Sequence, residues 1–86
     1  MTPAQCRAAR ALLDMSQQDA ATSASIGIQT LIAFESGNRT PYARTLSAIR
    51  AALEAAGVVF LPENGNGPGV ALRKETRGIV WKDGGK

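Results

Sequence analysis

The most informative cluster of side chains in this 86-residue chain is made of amides, hydroxyls and guanidiniums. There is no His and only one Cys, so a zinc finger, a Cys/His nucleophilic site or a disulfide framework cannot be assembled within one chain. The useful groups crowd into residues 16–41, SQQDAATSASIGIQTLIAFESGNRTP, which hold Gln17, Gln29, Asn38, Arg39 and Thr40, with Arg44 and Thr45 just beyond. Such groups grip hydrogen-bonding edges and anionic oxygens without transforming them. A net charge of +3 and a pI near 9.6 agree with a polyanionic partner, although charge alone decides nothing. Cys6 shares a helical face with Ala9 and Leu13 and reads as a small buried hydrophobe. No enzyme activity, metal or cofactor is expected.

The elements that must position these groups follow from caps and periodicity. Thr2 and Pro3 open a first helix through Leu13. Ser16 caps a second, to Ser23, with Asp19 three positions later and Ala20, Ala21 and Ala24 small enough for close helix approach. Ser25-Ile26-Gly27 breaks the pattern, and a third helix runs from Gly27 to Ser36. Its inward residues are Leu31 and Phe34, whereas Ile28, Gln29, Ile32 and Ala33 are expected on the opposite face. Two short helices joined by a tight turn and followed by a Gly-Asn-Arg loop are the order of parts by which a helix-turn-helix presents a helix to DNA.

The segment resembles the Xre/Cro/phage-repressor family, through Arg10, Ser16-Gln17, Ala21, Ile26, Thr30-Leu31, Phe34-Glu35, Gly37, Arg39 and Pro41. The resemblance implies a mainly α fold, a five-helix Cro/repressor-like domain followed by a C-terminal β-hairpin, and binding to double-stranded DNA. It puts the third helix in the major groove, with base readout by Gln29, Ile28, Ala33 and Ile32. Phosphate contacts fall to Gln17, to Asn38, Arg39 and Thr40 after the helix stop at Gly37, and to Arg44 and Thr45. Arg10 and Glu35 match an internal ion pair and are assigned to structure. Ser25 stands where the family usually has Gly, and Gly27 where a Ser or Thr caps, so a turn rearranged by a residue or two is expected.

Beyond Pro41 a short helical turn is expected to run into an apolar stripe of Leu46, Ile49 and Leu53 ending at Gly57, as one helix or two. Val58 to Leu61 and Val70 to Arg73 read as strands around a Pro/Gly/Asn loop. The chain thus divides into 1–57 (DNA-binding domain), 58–73 (hairpin) and 74–86 (basic tail). A two-stranded ribbon is marginal in water, so Val58, Phe60, Val70 and Leu72 are expected to meet a second copy, the alternative being that the hairpin packs only on its own helices. Ile79, Val80 and Trp81 are expected to extend the sheet, clasp the partner or belong to a mobile tail that brushes phosphate. With no apolar run approaching a span of about 20 residues, a cytoplasmic protein without membrane contact is expected. The expected function is that of a sequence-specific transcription regulator, a homodimeric repressor of a palindromic operator that can include its own. The alternatives are an antitoxin or adaptor that holds another protein, and an activator touching RNA polymerase.

Overall fold

A computed structural model describes residues 1–63 and 65–74, in the order α1 (Pro3–Leu13), α2 (Gln17–Ala24), α3 (Ile28–Glu35), α4 (Ala43–Ala56), β1 (Val58–Leu61) and β2 (Gly69–Leu72). The roles expected of Ile79, Val80 and Trp81 lie outside the described residues.

The first two helices start where their sequences provide a cap. The Thr2 hydroxyl accepts from the Gln5 amide at 3.0 Å while the Gln5 side chain accepts from the Thr2 amide at 2.8 Å. Ser16 and Asp19 form the same reciprocal pair ahead of α2, at 2.9 and 3.1 Å. Each box satisfies two amides that a helix start would otherwise leave to water. Both helices end on a left-handed residue that carries a side chain, Asp14 at φ 57° and Ser25 at φ 59°.

Four helices form among the described residues, not five. Pro41 disfavours a helical conformation in the residue before it, so the chain stays irregular through Tyr42. From Ala43 a run of good helix formers, including Ala51-Ala52-Leu53-Glu54-Ala55-Ala56, carries one uninterrupted helix to Gly57, at φ 128°. The short turn expected after Pro41 is absent as a separate element.

The helices and the hairpin share one core. Cys6, Ala9 and Leu13 of α1, Ala20, Ala21 and Ala24 of α2, Leu31 and Phe34 of α3, and Ile49 and Leu53 of α4 enclose it, and Val58 and Phe60 close it from below. The strands pair antiparallel with Val58 opposite Leu72 and Phe60 opposite Val70, so these four side chains share one face. That face is turned toward the chain's own helices, with Val70 and Leu72 packed against the core. The expectation that Val58, Phe60, Val70 and Leu72 meet a second copy is therefore corrected. Period-two alternation leaves Val59 and Leu61 outside instead, 40% and 43% exposed.

Three further contacts fix the hairpin. Gln5 Nε2 donates to the Gly69 carbonyl at 2.8 Å, and the Arg73 amide donates to the Gly57 carbonyl at 2.8 Å. The Arg50 guanidinium lies 5.2 Å from the centre of the Phe60 ring. In the loop, the Glu63 carboxylate accepts from the amides of Gly65 and Gly67 at 3.0 and 2.9 Å, both glycines having positive φ. Among the described residues no helix is long and apolar enough to cross a membrane.

Candidate nucleic-acid interface

α3 is anchored by an acidic residue that the fold buries on purpose. Glu35 is only 2% exposed, and its carboxylate is surrounded by donors. Arg10 approaches through two nitrogens, Nε to Oε2 and Nη2 to Oε1, both at 2.7 Å. Cys6 Sγ donates to Oε2 at 3.0 Å, and Gln17 Nε2 donates to Oε1 at 3.1 Å. Burial by itself would push Glu35 up, but the bonds from Arg10, Cys6 and Gln17 outweigh it and hold the carboxyl below its ordinary value. The same bond to Glu35 raises Arg10, against the effect of burial. Burial, then the bond to Glu35, pushes the Cys6 thiol well above the usual range, so Cys6 is a neutral donor. Arg10 Nη1 also reaches the Met15 carbonyl at 3.1 Å, and Arg7 bonds the Glu35 carbonyl at the end of α3. α1 thus grips the last turn of α3 by its side chain and its backbone at once.

This anchorage leaves one stripe of α3 open. At about a hundred degrees per residue, Leu31, Phe34 and Glu35 define the buried side, and the opposite side reads Ile32, Ser36, Gln29, Ala33 and Thr30 from edge to edge. Gln29 and Ser36 are exposed, while Ile32, Ala33 and Thr30 are half-buried at the margins. Ile28 does not belong to the stripe. It lies one turn before Leu31 and two turns before Glu35, and it packs against the core. It is half-buried, as Ile32 is, and of these two isoleucines it is the one that packs in part against the core.

The turn before α3 keeps a left-handed residue at Ser25 and places Gly27 in extended backbone as an N-cap without a side-chain bond. Ser25 bears the cost of a Cβ in that conformation, about 1 kcal/mol.

Two recesses flank the open stripe. On the Ile32 side, Arg7, Arg10, Gln17, Ile32, Glu35 and Ser36 line a recess of about 340 Å³. Gln17 sits there at the start of α2, but its amide nitrogen is directed at Glu35, so one amide hydrogen remains for a ligand. On the Thr30 side, Arg39, Thr40, Pro41, Tyr42 and Thr45 join Thr30 around about 280 Å³. The loop between them is shaped by Gly37 at φ 81° and by the Asn38 and Arg39 amides, which donate to the Ala33 carbonyl at 3.0 and 3.3 Å. Asn38, Arg39, Thr40 and Arg44 are all exposed on this flank and Thr45 is half-buried.

Three contributors escaped the sequence reading. Arg7 lies one turn before Arg10, a spacing that puts both guanidiniums on one side of α1. Thr30 directly follows Gln29. Tyr42 is an aromatic at a helix N-cap, where Ser, Asp or Asn is preferred. Among the described residues no group of three or more His, Cys, Asp or Glu side chains is placed to hold a metal ion.

An open helical stripe between two donor-lined recesses is suited to a groove bounded by anionic rails. The sequence profile of a family described as Helix-turn-helix matches residues 7–56, which include α1 from Arg7 onward and all of α2, α3 and α4. No curated protein matches the chain.

Proposed function

The chain belongs to the Xre/Cro-like helix-turn-helix family, a family of DNA-binding regulators, and from that premise we propose that it is a repressor which occupies a palindromic duplex operator as a homodimer. The observation that carries this reading is the stripe of α3 lying between two recesses rich in Arg, Thr and amide donors. α3 enters the major groove. Gln29, exposed near its start, reads an adenine edge by donating and accepting at once, a pair worth about 1 to 3 kcal/mol of discrimination. Ala33 and Ile32 offer apolar contact to thymine methyl groups. Gln17, Arg39, Thr40, Asn38, Arg44 and Thr45 hold the backbone on either side, supplying affinity without sequence information.

The second copy meets the outer face of the hairpin. Val59 and Leu61 are large apolar side chains on a two-stranded ribbon whose inner face is already used. Covering them with the same face of another chain gives a two-fold pair, the symmetry that a palindromic operator mirrors. Occupancy of a promoter then blocks transcription, the chain's own included.

An electrophoretic shift with DNA from upstream of the chain's own gene, repeated at several salt concentrations, tests the reading. Sequence-selective binding that weakens steeply with salt supports it. Failure to bind any duplex, with stable capture of another cellular protein, would instead identify a protein-interaction module.

A further inference from the structure

We propose that Asn66, in the hairpin loop, is a latent site of spontaneous deamidation that the Glu63 carboxylate holds in check. Nothing in this depends on how the chain meets DNA. The loop carries two Asn-Gly steps, Asn64-Gly65 and Asn66-Gly67, and both residues of the second are among those described. Asn-Gly is the step most open to this chemistry, because glycine brings no Cβ to shield its nitrogen from the preceding side chain. Asn66 is also exposed, so solvent reaches it. In the reaction the Gly67 amide nitrogen gives its proton to solvent and bonds to the Asn66 Cγ. The Cγ–Nδ2 bond breaks, ammonia leaves with a proton taken from water, and a cyclic imide remains. Water then opens the imide at either carbonyl, leaving aspartate or, with Cγ now in the main chain, isoaspartate. Nothing is oxidised or reduced, and water is the only co-reactant.

Glu63 engages the proton on whose removal the first step depends. Its Oε2 accepts from the Gly67 amide at 2.9 Å and from the Gly65 amide at 3.0 Å. Positive φ values, 100° at Gly65 and 90° at Gly67, accompany this turn of both amides toward one oxygen. A carboxylate is too weak a base to take a peptide proton, and an amide anion beside it would set two negative charges within hydrogen-bond distance. The Gly67 nitrogen therefore has to leave Glu63 before it is able to attack. A bond to an ionised acceptor is stronger than one between neutral groups, so the released conformation is the minor one. The lock also matters to the fold. Shortly after Asn66 the Gly69 carbonyl takes the Gln5 amide, and β2 pairs with β1 from Gly69 onward. Isoaspartate at position 66 would lengthen the loop just ahead of that anchorage, and either product adds a carboxylate to the loop that already holds Glu63. The hairpin that closes the core is then less firmly held.

The test uses the full chain, held in mildly alkaline buffer at body temperature, with loss of the Asn66 amide followed by peptide mass spectrometry. Glu63→Ala is expected to deamidate at Asn66 about fivefold faster than the parent. Glu63→Gln, which keeps an acceptor oxygen without the charge, should fall between the two. The parent unfolded in guanidinium sets the unprotected rate, which Glu63→Ala should approach. By a similar factor, the Gly67 amide hydrogen should exchange with deuterium more slowly in the parent than in Glu63→Ala. Glu63 is exposed, so both variants should keep cooperative melting by circular dichroism. Should Glu63→Ala fail to do so, the comparison of Glu63→Gln with the parent decides. Equal loss of the Asn66 amide in the parent and in the folded variants overturns the proposal. Slower loss in Glu63→Ala overturns it as well, because Glu63 would then be a base that drives the reaction. A folded parent that deamidates as fast as the unfolded one contradicts it in the same way.

Discussion

Glu35 is the residue on which the candidate interface depends, because one buried carboxylate gathers Arg10, Cys6 and Gln17 while Arg7 holds the backbone carbonyl of the same residue. Glu35→Ala leaves Arg10 partly buried without its partner and is expected to cost about 3 kcal/mol. For a domain of this size that lowers the melting temperature by on the order of 15 °C. A Glu35→Ala chain that melts like the parent by circular dichroism contradicts the assignment. The pH dependence has a fixed sign. Because folding holds Glu35 below its ordinary value of 4.5, the cluster's contribution is in place above that pH and is lost as pH falls through the lower folded value. Arg10, raised from an already high value, stays charged throughout and takes no part in the acid loss. Urea midpoints measured from neutral pH down to pH 3 should therefore fall less steeply for Glu35→Gln than for the parent. Cys6 gives a second check at this scale. Fully buried and kept neutral, it is expected to resist iodoacetamide in the native chain and to react readily in guanidinium, a difference that mass spectrometry reads directly.

The turn between α2 and α3, like the end of α1 at Asp14, turns on a left-handed residue that carries a side chain. Ser25 holds a left-handed conformation that glycine adopts freely, so Ser25→Gly is expected to stabilise the fold by about 0.5 kcal/mol once the greater freedom of glycine in the unfolded chain is offset. A raised melting temperature with unchanged DNA affinity is the expected result, and a lowered one would show that the Ser25 side chain contributes something else. Much of this scale was legible in the residues. Thr2 with Gln5 and Ser16 with Asp19 announce helix starts because both partners of each cap are local in sequence, and Val58 to Leu61 announces a strand by its β-branched run. The misplaced features are those decided by distant packing. Ile28 turns inward because its turn of α3 lies along the line of Leu31 and Glu35, and the separate turn after Pro41 is lost to a continuous α4. The hairpin's inner face is filled because Val58, Phe60, Val70 and Leu72 pack on the core that the helices enclose, which no local pattern reveals. Tyr42 went unseen because the recess it lines with Thr30 exists only once α3 and α4 are packed.

For the whole molecule, the proposed function assigns the open stripe of α3 to the duplex and the outer face of the hairpin to a second copy. Val59→Glu, on an outward side chain, should leave the melting temperature close to that of a dissociated parent chain while abolishing self-association in sedimentation velocity. Its affinity for one half-site should survive and its affinity for a full palindrome should fall, since only the pairing of two copies is lost. A Val59→Glu chain that still sediments as a dimer would place the pairing elsewhere.

Whether α3 and its two flanks face the duplex is read most directly from an amide chemical-shift map of the chain on titration with duplex DNA at low salt. The largest changes are expected at Gln17, at Gln29, Thr30, Ala33 and Ser36 on the open stripe, and through Asn38 to Thr45, with Val59 and Leu61 little moved from their positions in the free protein. Changes confined to the hairpin, or none at all at saturating duplex, would contradict it.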